Sequence, residues 1–275
     1  MNYLFTFFIF YFTLINYSIS QNTQIYEVIY NSNYKPIKGS SNYKNFNYSV
    51  FTDGYNALGQ WSNDRKLDSI SEVRALKNKD VSKYKTYRNS SVEYSNNTIR
   101  FYGLIGNEIY TYKEELCLNW SLKAETKTVN GYNCKKAELN YRGRNWTAWY
   151  TDEVPLQVGP YKFYGLPGLI IKIWDKTRSY NFELVSINKL DYKMKLKRST
   201  FAFAKDKPIA IDRINYLKLK HKFKSMTFNE SIQYMNRNKD VHVELELFSE
   251  DGDKKSFREY SNKGKLNFIE LDYLD

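Results

Sequence analysis

Few side chains in this 275-residue sequence are spaced for chemistry. There is no Gly-x-Ser-x-Gly elbow, phosphate-binding glycine loop, His-Glu-x-x-His pair or Cys-x-x-Cys pair. The two histidines, His221 and His242, are not joined by a second histidine or a cysteine at helix or strand spacing, so no metal set is expected. His221 sits in a lysine-rich stretch, and His242 falls on the wet face of an alternating run, so both read as surface residues. A thiol–imidazole pair from Cys134 would need a histidine from a distant part of the chain. Paired carboxylates remain. Asp152 and Glu153 are adjacent and would point to opposite faces of a strand. Asp152 and Asp175 would converge only if their strands were neighbours, and glycoside hydrolysis needs two carboxyls about 5–10 Å apart. A hydrolase using that pair is the alternative reading; a non-enzymatic binding or accessory protein, without cofactor, is the main one.

Aromatic residues offer a stronger candidate site. Trp146, Trp149, Tyr150, Tyr161, Phe163, Tyr164 and Trp174 fall close together, with Arg142 and Arg144 beside them. Alternation places Trp146 and Tyr150 on one face of their strand and Trp149 on the other. One set packs the core; the other lines a cleft or a docking surface, where aromatics and arginine are favoured. Trp149, Tyr150, Tyr161, Phe163, Tyr164 and Arg144 are the candidate binding residues.

The elements that position this cluster are written in residues 159–184. Leu166-Pro167-Gly168-Leu169 reads as a type II turn, with proline fixing φ and Gly168 supplying a positive one. Gly165 adds a second permissive position. Residues 169–174 are apolar on both faces except for Lys172, which suits a buried strand, and 180–184 alternate as its antiparallel return. Gly165, Pro167 and Gly168 are thus structural turn residues.

The run Gly165-Leu166-Pro167-Gly168-Leu169-Ile170 resembles the signature of the GLPGLI family. Trp120, Glu125, Gly131, Tyr132, Cys134, Gly143, Arg144, Trp149, Pro155 and Gly159 also look like the family pattern, over roughly residues 118–185. Cys117 departs from it. The family occurs in Bacteroidota, carries signal peptides and has no established activity. The resemblance therefore implies an envelope location, near outer-membrane receptor systems, and no reaction.

Residues 1–20 form an apolar stretch too short to span a bilayer comfortably, with Ser18 and Ser20 suited to cleavage after Ser20. They read as a signal peptide, leaving 21–275 as one β-rich domain exported to the periplasm or outer membrane, with no transmembrane helix in the mature chain. An uncleaved N-terminal anchor is the other reading. The net charge of +12 is densest in 193–198 and at Lys218, Lys220, Lys222 and Lys224. Export argues against a nucleic-acid partner; a solvated surface, or contact with an anionic membrane or glycan surface, accounts for the charge. An envelope protein or an apolar ligand such as a lipid is the expected partner.

Asn130-Gly131 is a strong hairpin signal. Counting outward pairs Lys127 with Cys134, Ala124 with Ala137, Leu122 with Leu139 and Trp120 with Tyr141. Cys117 then lies ten positions from the residue opposite Cys134, about 30 Å along the strand. A disulfide needs Cα atoms within about 7 Å, so two free thiols are expected.

Further strands are expected at 23–30, 43–52, 55–61, 98–104, 108–113, 117–128, 132–141, 145–151, 192–203 and 241–248. Residues 90–97 read as a polar loop, and 69–77 as a short helix or loop. Residues 251–253 read as a turn, with 257–260 pairing back and 266–274 extended. Pro208 marks a helix start, and Thr227 caps a second helix over 229–236. The sum is a mainly β fold: a curved antiparallel sheet or partial barrel with one or two C-terminal helices, a β-sandwich being the alternative.

Overall fold

The computed structural model describes residues 24–61, 90–106, 108–190, 207–237 and 268–272. The expected signal segment at 1–20, short helix or loop at 69–77, strands at 192–203 and 241–248, turn at 251–253 and return at 257–260 lie outside the described residues, as do His242 and the basic run 193–198.

Two meanders build one sheet. The first comprises β1 (Ile25–Tyr34), β2 (Lys44–Thr52), β3 (Ala57–Trp61), β4 (Ser90–Ser95), β5 (Thr98–Ile105) and β6 (Glu108–Glu115). The second comprises β7 (Ser121–Val129), β8 (Tyr132–Tyr141), β9 (Arg144–Thr151), β10 (Leu169–Asp175) and β11 (Tyr180–Leu190). They join where β1 pairs with β11, and β12 (Ile209–Ala210) adds to β6 in parallel, giving the order β12-β6-β5-β4-β3-β2-β1-β11-β10-β9-β8-β7. The sheet is therefore mixed, by one short strand.

The connections force the sheet to curl. β6 and β7 stand ten places apart in that order. A flat sheet would separate them by about 48 Å at the usual strand spacing. Residues 116–120 link them and reach about 20 Å at most. The sheet bends so that its two wings face each other, without closing into a barrel. The curved-sheet expectation holds, and a two-sheet sandwich is not formed.

Alternation explains which face turns inward. In β11, Tyr180, Phe182 and Leu184 are buried while Asn181 and Glu183 between them are half-buried. Val28 and Tyr30 in β1, Tyr48 and Val50 in β2, and Trp146 and Ala148 in β9 continue that lining. A second cluster joins Val92, Ile99, Phe101, Tyr110 and Tyr112 to Tyr216 and Leu217 of helix α1 (Arg213–Ser225). Asp212 caps α1 by accepting from the Asn215 amide. Helix α2 (Phe228–Asn236) opens with a capping box between Thr227 and Glu230.

Four local expectations are corrected. Residues 90–95 are a strand, because Val92 and Tyr94 meet the core in a run whose serines resemble a loop. Pro208 does not open the helix; Ile209 and Ala210 pair with Tyr110 and Thr111 first. The β7–β8 hairpin keeps the expected Lys127–Cys134 pairing but slips between Leu122 and Thr126, so Leu122 lies opposite Ala137 rather than Leu139. Trp120 therefore leaves the ladder, and its indole donates to the Tyr164 carbonyl at 2.9 Å. The fourth correction concerns the turn at Pro167, described below.

Candidate functional site

Residues 159–168 fold into the concavity as a plug. Two glycines permit this. A side chain on Gly159 would sit 2.5 Å from the Phe163 carbonyl oxygen, and one on Gly168 would sit 1.9 Å from that of Thr151. Pro167 is not in a type II turn. The Gly168 amide donates to the Leu166 carbonyl at 2.8 Å, a three-residue turn, and Gly168 has φ of +142°. Tight contact with the end of β9 selects this geometry. Gly165, at φ +85°, has open space around it and serves the backbone alone.

The plug carries one charge into the interior. Lys162 is fully buried, and its ammonium donates to Glu114 of β6 at 2.5 Å, to Glu270 at 2.7 Å and to the Tyr112 hydroxyl at 3.0 Å. Those three bonds use all its donors. Arg142 bonds Glu114 at 2.5 Å and Asp272 at 3.1 Å. Arg213, at the start of α1, reaches Glu270 at 2.6 Å and Asp272 at 2.7 Å. Three cations face three carboxylates, and the set is neutral. Tyr161, held at φ +59°, donates its hydroxyl to Glu270. Lys162, Tyr161 and Arg213 hold the Glu270 carboxyl down to about 2 against its burial, and the two carboxylates hold the Lys162 ammonium well above its usual range.

Residues 268–272 thus clasp both wings of the sheet. Arg144 completes the clasp. Its guanidinium donates to the Phe268 carbonyl and to Asp175 at 2.9 Å, and lies 4.9 Å above the Tyr180 ring. Asp175 also accepts from the Tyr180 amide at 2.7 Å and from Thr177, closing the β10–β11 turn.

Beside this cage a cavity of about 350 Å³ opens between the sheet, α1 and the C-terminal segment. Its walls are aromatic: Tyr34, Phe46, Tyr48, Phe101, Tyr112, Tyr180, Phe182, Tyr216 and Phe268. Tyr161 and Glu270 separate it from the cage, and Lys44, Lys220 and Lys224 stand at its mouth. Gly103 of β5 makes room for Tyr216, whose hydroxyl would lie 2.0 Å from any side-chain carbon there. The buried hydroxyls of Tyr48 and Tyr216 have no hydrogen-bond partner. Lys220 is half-buried against the Tyr216 ring, and dehydration together with Lys224 pushes its ammonium down to about 7.

The six aromatic and arginine candidates do not form one surface. Tyr161 lines the cavity. Phe163 is in the core against Trp146 at 4.5 Å, and Tyr164 stacks on Tyr94 at 4.3 Å. Tyr150 is buried on the inner face, and Arg144 is spent on Asp175 and Phe268. Trp149 lies on the outer face beneath the Lys127 ammonium, in an open depression with Trp174 and Arg178. Asp152 and Asp175 do not converge. Asp175 pairs with Trp146, six residues from Asp152, about 20 Å away along β9. Asp152 is exposed and bonded to Lys135. Cys117 and Cys134 are separate thiols, and burial pushes Cys134 up to about 11, so it is protonated at neutral pH. His221 packs 5.6 Å from the Phe268 ring. Among the described residues, no group of three or more His, Cys, Asp or Glu side chains is placed to hold a metal, and no helix is long and apolar enough to cross a membrane.

Sequence reasoning missed the cage and most of the cavity. One signal was present: Lys162 is a lone charge in an apolar loop. Its partners, 48 and 108 residues away, leave no local trace.

Residues 140–172 match a family described as a protein of unknown function (Porph_ging). The match runs from the end of β8 through β9 and the plug into β10. The family is associated with Bacteroidota. No curated protein matches the sequence. Among solved structures, PNGF-II in two crystal forms superposes with a TM-score of 0.51 at 19% identity, over 74% of this chain and 34% of that one. The chain thus spans about a third of PNGF-II, and the likeness is one of fold. An uncharacterized conserved protein from Thermus thermophilus gives a TM-score of 0.36 at 7% identity, over 70% of this chain and 93% of that one. A LolA superfamily protein from Nitrosomonas europaea gives 0.27 at 8%, over 62% and 87%.

Proposed function

We propose that this chain is a GLPGLI-type protein of the cell envelope that binds an apolar molecule in the aromatic cavity on the concave face of its sheet. One observation carries the reading. The cavity falls in the range of about 300–1,000 Å³ typical of small-molecule sites, and most of its aromatic walls, Tyr34, Phe46, Tyr48, Phe101, Tyr112, Tyr180 and Phe182, are borne on strands. The plug and the clasp support it, since they hold the wings apart at a fixed distance and so keep the space open. Export rests on the segment 1–20, and partnership with an outer-membrane receptor or another envelope protein rests on the family resemblance.

Native mass spectrometry of the protein recovered from its own envelope tests this. The expected spectrum shows a chain lacking residues 1–20 and carrying a non-covalent adduct of small-molecule mass. The adduct is lost in Phe46→Trp, which fills a half-buried wall position, at unchanged thermal stability. A bare chain that also fails to take up a neutral aliphatic alcohol would overturn the reading. A protein-sized adduct alone would replace it with an accessory subunit.

A further inference from the structure

The charges around the cavity are unequally matched. Inside, Lys162, Arg142 and Arg213 are balanced by Glu114, Glu270 and Asp272. At the mouth, Lys44 comes from β2 and Lys220 and Lys224 from α1. Spacing of four puts the two helix lysines on one face, above Tyr216 and Phe268 respectively, while Lys218 and Lys222 fall on the opposite side. Among the described residues, none of the three mouth lysines is ion-paired to a carboxylate. Beside the loss of water, Lys224 opposes the charge on Lys220 while Glu270 favours it, and Lys44 opposes the charge on Lys224. Glu270 is the acidic group that also lines the cavity, and it is committed to Lys162 and Arg213.

Among the described residues, three lysines with no carboxylate in an ion pair line one aromatic pocket. From this geometry we infer that the ligand is an anionic amphiphile, its carboxylate or phosphate held by Lys44, Lys220 and Lys224 and its apolar body inserted among the rings. The inference rests on the binding reading above and adds the class of ligand. An anion at the mouth relieves the mutual repulsion, and the low-dielectric wall beneath strengthens each contact. The head stays at the wet rim and the tail removes apolar surface from water.

The test is a calorimetric series on the wild-type protein with ten-carbon ligands below their micellar concentrations. Decanoate and decyl phosphate should bind at least about tenfold more tightly than decanol, and decyltrimethylammonium more weakly than decanol. Comparing the first two distinguishes a carboxylate from a phosphate head. The triple variant Lys44→Ser, Lys220→Met, Lys224→Ser should lose the anion preference while keeping its affinity for decanol. Equal binding of decanol and decanoate would overturn this inference and leave the cavity reading standing. Binding of inorganic phosphate as tightly as decyl phosphate would also overturn it, because the tail would then contribute nothing. Failure of all four aliphatic ligands would overturn the cavity reading itself, and this inference with it.

Discussion

Two lysines on opposite sides of one cavity wall show how differently the same side chain can be used. Lys162 sits in the cage with every donor engaged and two carboxylates in contact. Lys220 sits at the mouth with a ring beneath it and another lysine beside it. Loss of water disfavours both ammonium groups; only the partners differ. The first is held charged and locks the plug to β6 and the C-terminal segment. The second is lowered to about 7 by burial and by Lys224, and among the described residues it is ion-paired to no carboxylate. The cage charges close on one another, whereas the proposed ligand would answer the charge at the mouth.

The largest test of that contrast is Lys162→Met beside Lys220→Met. Losing Lys162 takes one cation from Glu114 and Glu270, leaves them Arg142 and Arg213 beside an apolar side chain, and should cost about 3–5 kcal/mol by urea denaturation. Losing Lys220 should leave stability unchanged or higher. Equal destabilisation by the two substitutions would sink the contrast.

Acid gives the next effect. The Glu270 carboxyl lies at about 2 in the folded chain against 4.5 when free. A depressed carboxyl stabilises fully above the free value and loses that contribution as pH falls toward the folded one. About 3 kcal/mol should therefore disappear between roughly pH 5 and pH 2, and Glu270→Gln should flatten that part of the profile. Lys220 works in the other direction. Its ammonium is lowered to about 7, so the unfolded chain binds more protons above that pH. Stability should rise from about pH 7 toward about pH 10, with a slope that Lys220→Met removes.

Gly168→Ala tests the plug's seat rather than its charge. The new carbon meets the Thr151 carbonyl, and the expected cost is about 1–3 kcal/mol by thermal unfolding. Smallest of all is Lys172→Gln, which breaks a partly exposed pair with Glu183 on the outer face. Its expected effect is under about 1 kcal/mol.

What could be read ahead in the chain divides along the same line. The hairpin at Asn130-Gly131, the strands around Trp146 and Ile171, and the capped helix after Thr227 all rest on neighbours a few residues apart, and they form as expected. The slip at Leu122 was not legible, because an irregularity inside a well-patterned strand leaves the alternation on either side intact. The cavity was not legible because α1 must be laid over strands about a hundred residues earlier before Tyr216 meets Phe101 and Tyr112. The aromatic cluster was visible as composition, but the plug reverses direction and divides it among core, cavity and outer face. Alternation along separate strands cannot show that division.

The pairing of β1 with β11 also has a kinetic side. Each meander can zip up from local hairpins as soon as its own strands exist. The ladder between them joins Tyr34 to Tyr180 and Ile25 to Leu190. It closes loops of well over a hundred residues, and such closures are entropically slow. The chain should therefore pass through a stage with two half-sheets formed and the central seam unzipped. In that stage the inward edges of β1 and β11 are exposed together, the moment of greatest exposure to misassociation with another copy.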